Sequence, residues 1–194
     1  MDLEKMISEE IIAFLPIYLS MKGNCSLMIT LQGGIYQVNK TIKTILIQLC
    51  KYYLVDLKAI RSYYGNLLNI KNLTPIPFNK ENIFIPVKVR KPLLKNDGSI
   101  GYVNIKYIRK VSLHNEKTII YLTDNNTIEC LNSVETINKH INNGNIVRKL
   151  YEEKERASLV NERYIDLDYD RPATKGDVVM IINELLRIKE SIKL

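Results

Sequence analysis

The 194-residue chain has no run of about eighteen apolar residues, so no transmembrane helix is expected. Histidine is scarce, with only His114 and His140, and the three cysteines (Cys25, Cys50 and Cys130) are odd in number and widely spaced. Neither a disulfide framework nor a C-x-x-C metal ribbon can be built from them, and a zinc site would have to borrow carboxylates. No metal and no cofactor is therefore expected, and the thiols read as small buried apolar groups. The glycine-rich signatures G-x-G-x-x-G, G-x-x-x-x-G-K-[ST] and G-x-S-x-G are all missing, which leaves dinucleotide, P-loop and α/β-hydrolase chemistry without support. Positive charge is also rare at the start, where Asp2, Glu4, Glu9 and Glu10 face a single Lys5. A secretory leader has the opposite polarity, so a cytoplasmic location is the expectation.

What the chain does have is segregated charge. The net charge is +7, yet residues 40–110 alone carry +11, because fourteen lysines and arginines stand there against only Asp56, Glu81 and Asp97. The segments on either side are neutral to weakly acidic. A basic middle in such a frame is the footprint of a polyanion binder. A lysine-rich composition with solvated charges would produce the total but not the segregation. At 46% hydrophobic and 25% charged, the rest of the composition is that of a globular protein able to bury a core without staples.

Periodicity and turn chemistry predict the elements. In Glu10-Ile11-Ile12-Ala13-Phe14-Leu15-Pro16 the proline is expected to end a short element. Ser26 to Leu31 and Ile35 to Val38 flank Gly33-Gly34 as a hairpin. With Asn39 as N-cap, Ile42, Ile45, Leu46, Leu49 and Tyr53 form one apolar helix stripe. Asp56 to Gly65 could continue helically, whereas Pro75 and Pro77 force an extended path. Ile83 to Val89 reads as an edge strand or bulge around Pro86, followed by a turn at Asn96-Asp97-Gly98-Ser99. Tyr102 to Ile108 and Lys117 to Leu122 read as strands, and Asp124-Asn125-Asn126 turns the chain into Thr127 to Leu131. Ser133 caps a short helix that Asn142-Asn143-Gly144 is expected to stop. Lys149 to Arg163 is a charged helix or arm, Arg171-Pro172 a break, and Thr174-x-x-Asp177 a capping box opening a final amphipathic helix along Val178, Ile181, Ile182, Leu185 and Ile192. The expectation is an α+β fold with a β-rich antiparallel centre, an amphipathic helix on the N-terminal side and helices at the C-terminus. Residues 1–150 would be the binding domain and 151–194 an appended arm.

Three chemical alternatives are present. Cys130 and His140 supply the residue types of a nucleophile and base, though periodicity explains both as packing or surface. Asp166, Asp168 and Asp170 would share a face if Tyr164 to Asp170 were extended, and could then hold Mg²⁺ for a nuclease; a polar linker ahead of Arg171-Pro172 is the favoured reading. Tyr52, Tyr53, Tyr63 and Tyr64 could stack unpaired bases in an RNA- or protein-binding module, or simply fill the core.

Taken in order, several landmarks resemble the ComK family of competence transcription factors. They are Ala13-Phe14-Leu15-Pro16, Gly23-x-Cys25-Ser26, Tyr36-x-Val38-Asn39, and Cys50 with Tyr52-Tyr53 and a downstream Gly65. Ile83-Phe84-Ile85-Pro86, Arg90-x-Pro92, Gly101-Tyr102-Val103 and the hairpin Tyr121 to Ile128 follow. Tyr102 stands where relatives carry Trp, and the match fades past residue 150, where Tyr164 to Asp170 replaces the apolar segment that marks the family for adaptor-driven proteolysis. A weaker likeness to LytTR DNA-binding domains runs through Ile105 to Arg148 and Ser158-Leu159-Val160-Asn161. The first resemblance implies a transcriptional activator with no catalytic residue, binding AT-rich double-stranded DNA as a homodimer or higher oligomer, and it allows a regulatory protein partner. Lys88, Arg90, Lys91 and Lys95 in the loop after the Phe-Pro strand are the first choice for DNA contact. Lys106, Arg109 and Lys110 on the next strand, and Arg148 with Lys149 after the short helix, come next. Lysines would neutralise phosphates, while Arg90, Arg109 and Arg148 could enter a groove.

Overall fold

The computed structural model describes residues 3–94, 97–169, 172 and 174–192, the backbone alone over 157–169 and at 177, 180, 184, 187 and 190–192. Two units are distinguished, Met1–Glu152 and Glu153–Leu194. The first holds β1 (Ile11–Leu19), β2 (Gly23–Thr30), β3 (Ile35–Val38), β4 (Ile76–Pro77), β5 (Ile83–Lys88) and β6 (Ile100–Asn104), joined in one antiparallel sheet of order β3-β2-β1-β6-β5-β4. A second antiparallel sheet contains β7 (Ile108–His114), β8 (Lys117–Leu122) and β9 (Thr127–Cys130). The helices are α1 (Leu3–Ser8), α2 (Ile42–Tyr52), α3 (Leu57–Leu67), α4 (Val134–Tyr169) and α5 (Lys175–Ile192). The class is α+β, as the sequence predicts.

Side chains alternate across a strand, so the six-stranded sheet feeds two cores. Phe14, Met28, Phe84 and Tyr102 point toward the helices, where Ile42, Ile45, Leu46, Leu49 and Cys50 form the buried stripe of α2. Ala13, Ile29, Ile85 and Val103 point the other way and pack on Ile120, Leu122, Ile128 and Cys130 of the second sheet and Ile137 of α4. A strand covered on both faces reads as an unbroken apolar run, which is why Ile11 to Leu15 and Ile83 to Val87 show no alternation.

Four expectations change. Pro16 does not end its strand: β1 continues to Leu19 because it pairs with β6 only through Ala13 and Phe14, so Pro16 sits where β2 is the sole neighbour. The cap of α2 is Thr41, whose side chain accepts the Thr44 N–H, rather than Asn39. The segment Tyr102 to Ile108 is not one strand: Asn104, fully buried, accepts the Lys106 N–H at 3.0 Å and opens a 3-10 turn (Ile105–Tyr107) that hands the chain from one sheet to the other. Finally, Asn142-Asn143-Gly144 does not stop the helix begun by Ser133, whose hydroxyl accepts the Thr136 N–H; α4 runs through to Tyr169. Gly144 serves close packing instead. A Cβ there would lie 2.8 Å from Ile85 Cγ2 and 2.9 Å from Ile105 Cγ2.

Gly144→Ala is therefore expected to destabilise despite alanine's better helix propensity. Overpacking costs about 1–3 kcal/mol against a propensity gain of about 1 kcal/mol, and thermal unfolding should show a lower midpoint. A second prediction concerns His140, one helical turn earlier. Burial, then Lys139, holds its imidazole below the ordinary value of 6.5, and Nδ1 is buried without a partner. As pH falls below about 6.5 the unfolded chain gains a proton that the folded chain refuses, so stability falls there. Chemical denaturation between pH 7.5 and 5.5 should show this slope reduced in His140→Gln.

Candidate nucleic-acid interface

The loop after β5 is built around Arg90. Its Nε donates to the Gly98 carbonyl at 2.8 Å, its Nη2 donates to Asn24 Oδ1 at 2.7 Å, and its guanidinium lies 5.3 Å from the Tyr18 ring centre. All these acceptors are neutral, and Nη1 is buried with no partner. Arg90 thus staples the loop to the β1–β2 turn while its charge stays uncompensated. Lys88 and Lys91 on either side are exposed. Lys88 is fixed through its backbone, which donates to Asn132 Oδ1 and accepts from Leu131 N. The loop tip is apolar: Leu93 and Leu94 are 71% and 65% exposed, and both their N–H groups are donated to Asp97 Oδ2. Lys95 lies outside the described residues.

The remaining predicted residues lie elsewhere. Phe84 of β5 is opposite Asn104 and Lys88 is opposite Ile100, so the Lys106 neighbourhood and the Arg90 loop mark opposite ends of that strand, about 13 Å apart at ~3.3 Å per residue. Lys106 sits in the 3-10 turn rather than on a strand. It is paired with Glu81 at 3.0 Å and Glu10 at 3.9 Å, and the bond to Glu81 is the largest cause raising its pKa. Arg148 lines a small cleft with Lys80, Glu81, Lys106 and Glu152. It and the exposed Lys149 are on the continuing helix α4, not beyond its end. Arg109 and Lys110 are exposed on β7, with Lys110 opposite Tyr121. The eight described residues therefore form separate groups and not one patch.

A further basic surface was hidden in residues 40–66. Helices α2 and α3 are joined by the short turn Tyr53–Asp56, and Asp56 Oδ1 accepts the N–H groups of Lys58 and Ala59 to start α3. Lys43 and Lys51 on α2, and Lys58, Arg61, Ser62 and Asn66 on α3, are exposed. The Asp56 cap was the available signal. The tyrosines divide: Tyr64 is buried and Tyr53 stacks on Phe78 at 5.2 Å, while Tyr52 and Tyr63 are 51% and 54% exposed.

The catalytic alternatives find no geometry. Cys130 is buried, its Sγ donates to the Thr118 carbonyl at 3.3 Å, and desolvation pushes the thiol up to about 11. It makes no bond to His140. Asp166 and Asp168 fall on the helical backbone of α4, where residues two apart do not share a face, so the extended-strand premise is overturned. Asp170 lies outside the described residues. Among the described residues no group of three or more metal-ligating side chains converges, and no helix is long and apolar enough to cross a membrane.

No protein-family model matches the chain, and no curated protein or solved structure matches it either. One chemical prediction follows from the buried thiols. Iodoacetamide at pH 8 should leave Cys130 unmodified in the folded protein and alkylate it in denaturant, read by peptide mass spectrometry.

Proposed function

We propose that the protein is a DNA-binding transcription regulator without catalytic function, acting on AT-rich duplex as a homo-oligomer. The observation that carries this reading is the state of its cations. Lys5, Lys106 and Lys117 are held by carboxylates. By contrast, Lys43, Lys58, Arg61, Lys88, Lys91, Arg109 and Lys110 are exposed and have no carboxylate in ion-pair range among the described residues. Such cations bind phosphates by releasing condensed counterions, a gain that needs no base contact. The resemblance to the ComK family supports the AT preference, since lysine and arginine favour the narrow minor groove of A-tracts. The Leu93-Leu94 tip beside Arg90 and Lys91 has the character of the apolar wedges that accompany minor-groove binding.

The oligomeric part rests on α5. Val178, Ile181, Leu185 and Ile188 are all about half exposed and are spaced alternately three and four apart, the pattern of a coiled-coil seam that a second copy would cover.

Fluorescence anisotropy with a labelled AT-rich duplex, in EDTA and at two salt concentrations, tests the proposal. Salt-sensitive binding that a GC-rich competitor fails to displace is the expected result. Equal weak binding to both duplexes, or none, overturns sequence-specific recognition. Lys91→Ala should weaken binding to every sequence and lower the salt slope by about one, whereas Lys106→Ala, whose charge is already paired, should leave the slope unchanged and lower the unfolding midpoint. Sedimentation velocity should show Leu185→Asp shifted to monomer.

A further inference from the structure

An open groove of about 670 Å³ lies between α2, α3 and the chain entering β6. Its size is in the range of small-molecule sites, which are mainly apolar with a few placed polar groups. The apolar lining comes from Ile42, Leu46, Ile47, Leu57, Ile100 and Tyr102. The charged groups are mainly cationic: Lys43, Lys58 and Arg61 line the groove against a single acid, Asp56. One oxygen of Asp56 already serves the N–H groups of Lys58 and Ala59 at 2.7 and 3.1 Å. Arg61 is held in place by its Nη2, which donates to the Tyr102 hydroxyl at 3.3 Å. A guanidinium fixed on a phenol, with no carboxylate in range among the described residues, is an anion receptor beside an apolar trough.

We propose that this groove binds an amphipathic organic carboxylate, its apolar body along Leu46, Ile100 and Tyr102 and its head group between Lys58 and Arg61. Charge complementarity selects the anion: an uncharged or cationic amphiphile would bury the same surface but would leave the three cations unanswered. The groove wall also has a mechanical connection. Gly98, one of its lining residues, is the carbonyl that accepts from Arg90 Nε, and Ser99 O accepts the Val89 N–H at 3.0 Å. An occupant pressing on Gly98 and Ser99 therefore acts on the same loop that carries Lys91. The binding site stands on its own lining; only this link to the basic loop rests on the DNA-binding reading.

The chain has no tryptophan, so Ile47→Trp at the half-exposed rim supplies a single indole that can be excited to the red of the twelve tyrosines. Titration with dodecanoate below its micellar concentration should give a saturable blue shift, at least tenfold tighter than that given by dodecyltrimethylammonium. Adding Lys58→Gln or Arg61→Gln to the reporter should weaken dodecanoate several-fold, and Lys58→Gln, which makes no side-chain hydrogen bond in the fold, should do so without moving the unfolding midpoint. In the wild-type protein, dodecanoate should shift amide resonances of residues 98–102 and of α2 and α3. A shift that does not saturate, equal affinity for the two amphiphiles, an unchanged affinity in Lys58→Gln, or resonance changes elsewhere in the fold would each overturn the site. None of these readouts involves DNA, so failure here is distinct from failure of the anisotropy experiment.

Discussion

The two sheets are held in register by one buried amide. Asn104 ends β6 with no exposure to solvent. Its Nδ2 donates to the Glu81 carbonyl at 3.1 Å and to Asn82 Oδ1 at 3.3 Å, while its Oδ1 accepts the Lys106 N–H. A buried amide left unsatisfied costs about 1–3 kcal/mol, so this side chain has a strong preference for the one geometry that answers all its groups. That geometry fixes the approach to β5 on one side and the 3-10 turn on the other. From the turn, Tyr107 enters the lower core with its hydroxyl donating to Glu10, and its carbonyl accepts the Thr123 N–H. The second sheet is thereby hung beneath the first, and both hydrophobic cores follow from that placement.

The charges are organised by the same logic of satisfied and unsatisfied partners. Near the turn, Lys106 is answered by two glutamates and belongs to the scaffold. At the far end of β5, Arg90 is answered only by neutral oxygens and an aromatic ring, so it fixes a loop and still contributes a full positive charge to its surroundings. On α2 and α3 the cations stand in the open above an apolar groove. A positive segment in sequence thus becomes several positive surfaces in space, with separate neighbours and separate uses.

Local chemistry was legible from the sequence, and tertiary chemistry was not. The stripe Ile42, Ile45, Leu46, Leu49 depends only on helical spacing; the Ser133 cap and the Asp124 turn depend on side chains reaching their own backbone. Gly144 and Pro16 misled because each was weighed by its local meaning. A glycine that reads as a helix stop was chosen for contact with Ile85 and Ile105, and a proline that reads as a strand end sits where a ladder neighbour is missing. Asn104 shows the reverse: its cap on Lys106 is local, but the partners that satisfy its amide nitrogen, Glu81 and Asn82, lie more than twenty residues away. For the candidate interface, residue types and net charge were visible, but which cations share a surface depends on strand direction and on the break at Ile105, so the grouping was not.

The placement of proline also bears on how this sheet meets other chains. Strand β4, at one margin, is two residues long and ends in Pro77; Pro86 lies in the part of β5 that extends past β4; and Pro16 lies in the part of β1 that extends past its pairing with β6. Each removes an N–H from backbone that has run out of neighbours. An exposed row of such groups is a template for strand addition and fibril growth. Most of the edge at β4 and at the overhangs of β5 and β1 is therefore poor at recruiting a strand.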